Sequence, residues 1–261
     1  MSELFERFAP LLLSVGEAEI RSDPTLQGRL CLDSASSLSV FYAPFEHVQA
    51  AAKVVIVGIT PGMQQAANAL LEARRQLIAG KTASEALAAA KVFASFSGPM
   101  RSNLVEMLDF IGLNKWTCLQ TSGELWDTHS HLAHFTSALR YPVLLNGKNY
   151  SGSPSMTRTP LLSAYVLRYL KEEADALRGA VWIPLGPAAS QGVGMLASAG
   201  VIDATHMLDG MPHPSPANIE RIRYFVGNKP RDELSIKTNP DLLDRVRTSL
   251  LAKVAALPPI R

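Results

Sequence analysis

Three loops of the chain carry residues whose types suit chemistry on a bound ligand. They are residues 58–62 (Gly-Ile-Thr-Pro-Gly), residues 146–149 (Asn-Gly-Lys-Asn) and the segment around His213. The first loop joins two glycines to a proline, so its backbone N–H groups can approach a ligand closely because no Cβ intervenes. His213 stands between Pro212 and Pro214, which fix the backbone and suit an electrophile or a proton donor. Each loop alone is a weak signal, and a single histidine of this kind is more often structural.

Short apolar runs supply the strands that must position these loops. The runs are Val54–Val57, Val143–Leu145 and Val181–Leu185, with a weaker candidate at His206–Leu208. They are continuous rather than alternating, which is typical of parallel strands that are covered on both faces. Helical patterns lie between them, for example over residues 159–177, where apolar residues recur at i, i+3 and i+4. Strands that alternate with helices predict an α/β fold.

We therefore expect residues 1–261 to form one domain, a three-layer α/β/α structure with a central, mainly parallel four-stranded sheet. The Ala-rich stretch at about 64–94 is divided by Gly80 and predicts a helical insertion. It is either scaffold or a lid, because ligands of such sheets bind at the carboxyl ends of the strands. A last amphipathic helix is expected at about 240–256.

The composition excludes several classes of protein. The chain has 261 residues, 25 Lys+Arg, 23 Asp+Glu and 47% hydrophobic residues, which excludes a disordered chain, a collagen or a disulfide scaffold. A formal charge of +2 excludes coating of nucleic acid by bulk charge, but an enzyme that touches DNA through a small face needs no excess. Cys31 and Cys118 form no CxxC pair. With no signal peptide and no run of about 20 apolar residues, we expect a cytoplasmic protein that does not bind membranes.

Together, the three loops resemble motifs of the uracil-DNA glycosylase superfamily. Val54–Gly62 (VVIVGITPG) is similar to its first motif, and Pro212–Gly227 (PHPSPANIERIRYFVG) is similar to its last one. The form His-Pro-Ser-Pro-x-Asn, which ends at Asn218, looks closest to the single-strand-selective monofunctional branch. Between the motifs, PVLLNG resembles the second strand of the family with its base-reading Asn146, and VWIPLGPAAS resembles the third strand. The resemblance covers residues 54–227.

This resemblance implies a monofunctional enzyme that flips a uracil or a 5-substituted pyrimidine out of DNA and hydrolyses its N-glycosidic bond. His213 would donate a hydrogen bond to the base oxygen on which negative charge develops. Asn146 would read one edge of the base, because an amide has both a donor and an acceptor. Phe96 would stack on the base, with Phe93 as the competing choice and core packing as the alternative for both. The rest of the base pocket would come from the first loop: Gly58, Ile59, Pro61 and Gly62.

The resemblance also implies how DNA is held. The expected contacts to phosphate come from Pro214, Ser215, Asn218 and Arg221, through a hydroxyl, backbone N–H groups and charge. Ala217 offers no side chain that can intercalate, which favours single-stranded DNA or a distorted duplex. We expect a monomer that needs neither a cofactor nor a metal.

Two positions depart from the family pattern. Thr60 stands where many members have the Asp or Asn that orients the attacking water, and a hydroxyl cannot carry a compensating charge. Asp127 is the candidate substitute. Gly62 stands where the uracil-exclusive branch has a tyrosine, which leaves room for a substituent on the pyrimidine.

Two alternatives stay open at this point. The weaker chemistry expected of Thr60 is compatible with a nucleic-acid-binding protein of the same fold that lacks efficient catalysis. The spacing of His129, His131 and His134 resembles the HxHxxH motif of zinc hydrolases. However, Ala133 replaces the Asp that this motif usually has.

Overall fold

The computed structural model describes residues 3–95 and 99–260, with the side chain of Pro99 left out. The chain divides into two compact units. The first consists of Met1–Ala50, Gly58–Ser95 and Phe135–Ala176, and the second of Ala51–Val57, Phe96–His134 and Leu177–Arg261. The organisation as one domain stays a prediction.

The described part of the chain is a mixture of helices and strands, as the α/β prediction requires. The strands are β1 (Cys31–Ala35), β2 (Leu38–Phe41), β3 (Val54–Gly58), β4 (Ala133–Ser137), β5 (Val143–Leu145), β6 (Lys148–Asn149) and β7 (Val181–Pro184). The helices are α1 (Glu3–Ser14), α2 (Glu17–Ser22), α3 (Met63–Ile78), α4 (Ala83–Ala94), α5 (Pro99–Phe110), α6 (Leu113–Trp116), α7 (Pro160–Tyr165), α8 (Lys171–Ala176), α9 (Pro187–Ser198), α10 (Ile219–Phe225) and α11 (Pro240–Ala255).

The parallel sheet has three strands, in the order β4-β3-β7. Strands β3 and β7 are entirely buried, which explains their continuous apolar sequences. The weak fourth candidate adds only one parallel bridge, from Met207 to Trp182, together with a 2.8 Å hydrogen bond from the Leu208 N–H to the Trp182 carbonyl. The expectation of a four-stranded parallel sheet is therefore wrong. Of the four expected strands only β3 and β7 lie in this sheet, and its third strand, β4, was not among those expected. The chain passes Trp182 too briefly to form a ladder before the proline-rich loop begins.

The four-stranded sheet of this protein is the antiparallel one, with the order β1-β2-β5-β6, and it lies in the first unit. Strand β5 pairs antiparallel with β2 and β6, so the expectation that Val143–Leu145 is a strand of the parallel sheet is wrong. The physical reason is the turn that follows. Asn146 and Gly147 have φ values of 51° and 74°, and an Asn-Gly pair in the left-handed region makes the tight turn of a hairpin.

Helices α3 and α4 lie on either side of Gly80 and pack against each other, as the Ala-rich sequence predicted. Gly80 has a φ of 74°, a value that glycine adopts without strain. Thr82 caps α4 by accepting a hydrogen bond from the Glu85 N–H at 3.3 Å. In the described part of the chain no helix is both long and apolar enough to cross a membrane.

Candidate functional site

The proline-rich loop, residues 209–218 in the second unit, carries the histidine that the sequence singled out. Pro212 and Pro214 are buried, whereas His213 is half-buried. Proline has no N–H group, so Pro212, Pro214 and Pro216 cannot donate in a backbone ladder. Two asparagine side chains hold the carbonyl groups of His213 and Pro214. The Asn218 amide donates to the His213 carbonyl at 3.2 Å, and the Asn103 amide of α5 donates to the Pro214 carbonyl at 2.9 Å.

The imidazole of His213 is oriented within this loop. Its Nδ1 accepts a hydrogen bond from the Ser215 N–H at 3.2 Å, so in the neutral ring the proton is on Nε2. Burial lowers the pKa of His213 and so favours the neutral form. Its Cβ lies 3.4 Å from where a side chain on Gly186 would begin. The site therefore presents a neutral Nε2–H donor packed against a glycine.

The groups expected to bind phosphate are partly used inside the same loop. The Ser215 N–H is bonded to His213, and the Ser215 hydroxyl oxygen lies 3.3 Å from the Asn218 amide nitrogen. Arg221 is exposed, and it donates to the Asn218 side-chain oxygen at 3.3 Å and to the Lys237 carbonyl at 3.0 Å. Of the groups expected to bind phosphate, these contacts leave the hydroxyl proton of Ser215 and the positive charge of Arg221 on α10.

In the first unit, the loop at residues 58–62 is built around Thr60. The Thr60 hydroxyl donates to the Tyr141 carbonyl at 2.9 Å and accepts from the Val143 N–H at 3.1 Å. A hydroxyl has one proton to donate, and that of Thr60 is hydrogen-bonded to a backbone carbonyl. Thr60 thus joins the end of β3 to the start of β5, and only its second lone pair is left to meet a water.

The expected open space beside Gly62 borders on an amide. The Gly62 N–H donates to the Gln65 side chain at 3.1 Å, and the Met63 N–H donates to the Asn149 Oδ1 at 3.2 Å. The Asn149 Nδ2 lies 3.5 Å from where a Cβ on Gly62 would be. Asn146, the predicted base reader, is exposed in the hairpin turn, and its N–H donates to the Ser37 carbonyl.

The remaining predicted site residues are Phe96, its competitor Phe93, and Asp127. Phe96 lies outside the described residues. Phe93 lies on α4 with 58% of its surface exposed, so its alternative role in core packing is wrong. Asp127 is exposed and follows the 3-10 turn Ser122–Trp126.

The three histidines at 129, 131 and 134 do not form a metal site. The Nδ1 of His129 lies 3.0 Å from a carboxylate oxygen of Glu124, and the rings of His129 and His131 are 6.0 Å apart. His134 is buried in β4. Among the residues that the structure describes, no group of three His, Cys, Asp or Glu side chains is arranged to hold a metal ion. The described residues therefore offer the zinc-hydrolase alternative no set of metal ligands.

A buried charge cluster in the first unit escaped the sequence analysis. The Arg140 guanidinium donates to Glu173 at 2.7 Å, to Glu172 at 3.0 Å and to the Tyr169 carbonyl at 2.9 Å. The Lys91 ammonium donates to the Phe45 carbonyl at 2.9 Å and lies 3.7 Å from Glu173. Burial lowers the pKa of Lys91 to about 8, although the carboxylate of Glu173 opposes this shift. No spacing signal exists, because the members come from distant segments.

A cavity of about 660 Å³ lies against this cluster, bordered by Arg140, Tyr141, Tyr169 and His47. Tyr169 belongs to a π-helical turn, Val166–Leu170. The Tyr169 carbonyl in this turn accepts the hydrogen bond from Arg140. Because the guanidinium is bonded on all of its nitrogens within the protein, we assign the cluster to stability rather than to ligand binding.

The chain is similar to a bacterial protein over nearly all of its length. No family model matches the chain, and no solved structure matches it. The uncharacterized protein YoxB of Bacillus subtilis (strain 168) is 34% identical over 247 residues, which cover 94% of this chain and 94% of YoxB. The chain therefore belongs to the same family as YoxB.

Proposed function

We propose that the protein is a monofunctional DNA glycosylase, which hydrolyses the N-glycosidic bond of a flipped uracil or 5-substituted pyrimidine. The reaction leaves an anionic base and a cationic sugar, so a catalyst must place a donor where the negative charge of the base develops. The substrate is DNA that is single-stranded or already distorted, the chain acts as a monomer without a cofactor, and it works in the cytoplasm.

The observation that carries this proposal is the state of His213. Its Nδ1 is occupied by the Ser215 N–H, and burial lowers its pKa. Near neutral pH the ring is therefore an uncharged Nε2–H donor, which can donate a hydrogen bond to an oxyanion. Its backbone is fixed by neighbouring prolines, so the donor needs little reorganisation when charge develops.

The test is release of the base from labelled oligonucleotides. Single strands that carry uracil, 5-hydroxymethyluracil or a bulkier modified pyrimidine are incubated with the protein, and abasic sites are revealed by alkaline cleavage. We expect cleavage of at least one of them, and loss on the order of 10²-fold or more in His213→Ala. His131→Ala, which changes an exposed histidine, is the matched control and should cleave normally. Absence of abasic sites on every substrate sinks the proposal, and full activity of His213→Ala refutes the role of that residue.

A second function is favoured by Thr60. Because the Thr60 hydroxyl donates its proton to the Tyr141 carbonyl, Thr60 is a poor base for the attacking water. A protein that binds nucleic acid without efficient chemistry would show tight, salt-dependent binding to the same oligonucleotides and no base release. The glycosylase assay run beside a binding titration distinguishes the two.

A further inference from the structure

The peptide group between Pro214 and Ser215 is bonded on both of its sides. Its carbonyl oxygen accepts from the Asn103 amide at 2.9 Å. Its N–H donates to the Nδ1 of His213 at 3.2 Å. Because a peptide group is planar, its carbonyl and N–H point in opposite directions and turn together. A contact that fixes the carbonyl therefore also fixes the direction of the N–H.

We propose that Asn103 is a positioning residue for His213, acting through this one peptide group. The chain of contacts runs from the Asn103 amide to the Pro214 carbonyl, through the peptide plane to the Ser215 N–H, and on to the imidazole. The proposal rests on the proposed function, since it gives His213 the role of a donor.

The sequence explains why a distant helix performs this task. Prolines at 212, 214 and 216 remove the N–H groups that would otherwise tie the loop to a neighbouring strand. Among the described residues, no backbone–backbone hydrogen bond involves residues 209–214. The plane of the 214–215 peptide is thus held by Asn103 on one side and the imidazole on the other.

The consequence for His213 is the choice of tautomer. With the Ser215 N–H aimed at Nδ1, the neutral ring carries its proton on Nε2, and the reactive edge is a donor. If the peptide turns away, Nδ1 loses its hydrogen-bond donor. The neutral ring then becomes a mixture of the Nδ1–H and Nε2–H tautomers, and the fraction of rings that can donate from Nε2 falls. A hydrogen bond to the carbonyl also polarises the N–H of the same peptide.

Asn103→Asp tests this directly, because aspartate has the shape of asparagine but offers no N–H and repels the carbonyl. The matched control is Ser102→Asp, which adds the same charge at the neighbouring, exposed position of α5. Tautomers are read from the long-range ¹H–¹⁵N NMR correlations of the His213 ring. We expect a pure Nε2–H pattern in the wild type and Ser102→Asp, and a mixed pattern in Asn103→Asp. Where Asn103→Asp does not fold, Asn103→Ser, whose hydroxyl is too short to reach, replaces it.

Asn218→Asp separates the specific role from a general loosening of the loop. It removes the donor to the His213 carbonyl but leaves Asn103 on the 214–215 peptide, so the ring should keep more of the Nε2–H form than in Asn103→Asp. An unchanged ring pattern in the Asn103 variants overturns the proposal, and so does an equal change in Asn218→Asp.

Kinetics give the second measurement. With an oligonucleotide that the wild type cleaves, kcat should fall on the order of 10²-fold in Asn103→Asp, with KM changed far less. The two failures are distinguishable: a wild type that cleaves nothing sinks the glycosylase, whereas the NMR result alone decides the role of Asn103.

Discussion

Replacing Thr60 with valine should destabilise the protein without removing a catalytic group. Valine has the shape of threonine but no hydroxyl, so the Tyr141 carbonyl and the Val143 N–H each lose their partner. Tyr141 and Val143 are both 1% exposed, so water has little access to the freed groups. An unsatisfied buried polar group costs about 1–3 kcal/mol. Because Thr60 itself is only half-buried, we take the lower part of the range and expect a loss of about 2–4 kcal/mol for the two groups.

Thr60→Ser is the matched control, since it keeps the hydroxyl and loses a methyl group worth about 1 kcal/mol. Urea unfolding of the wild type and both variants gives the free energies, provided that the m-values agree. Base release is measured at a temperature at which each variant is folded. We expect both to cleave within a few-fold of the wild type, because the proton of the hydroxyl is bound to a carbonyl. Equal stability of the two variants would refute the structural role, and a stable but inactive Thr60→Val would return Thr60 to the chemistry.

Two further predictions concern backbone strain and pH. Gly186 has a φ of 85° and lies against His213, so Gly186→Ala should lower the free energy of unfolding by about 1–3 kcal/mol and displace the ring. The control is Gly200→Ala, at a φ of 71° with open space around it. It should lower the thermal unfolding temperature through the same strain but leave the NMR signals of His213 unchanged. Burial lowers the pKa of Lys91 to about 8, so between pH 8 and about 10 the unfolded chain holds a proton that the folded protein has lost, and stability rises with pH. Urea unfolding at several pH values should show this rise in the wild type and a smaller one in Lys91→Met, whereas equal slopes would contradict it.

Sequence patterns predicted correctly those elements whose local sequence is enough to identify them. Strands β3 and β7 are covered on both faces, so their apolar runs are continuous, and Gly80 divides two helices because it is the residue that turns. Strand β5 is different, since an apolar triplet has the same appearance in either kind of sheet. The Asn-Gly pair at 146–147 distinguishes the two cases, because it is typical of a hairpin turn. Interpreting Val143–Leu145 as a parallel strand leaves this pair out of account.

The candidate site likewise contains residues that the local sequence identifies and residues that only the fold brings into place. The position of His213 between prolines is visible in the sequence, and the structure adds the Ser215 contact that selects its tautomer. Asn103 carries no local signal, because its partner is 111 residues away and a single asparagine in a helix is unremarkable. Arg140 and Lys91 likewise meet Glu173 only through the fold.

These contacts suggest how a glycosylase would manage without a carboxylate at position 60. The Thr60 hydroxyl donates its proton to a backbone carbonyl of its own unit. It can therefore do little to activate the attacking water or to stabilise the cationic sugar. Catalysis would then depend on the leaving base, which a preorganised neutral donor stabilises as its negative charge develops. Such an enzyme should favour bases that leave easily. Its rate on pyrimidines with different 5-substituents should therefore rise as the N1 pKa of the free base falls, more steeply than in a Thr60→Asp variant that supplies the carboxylate.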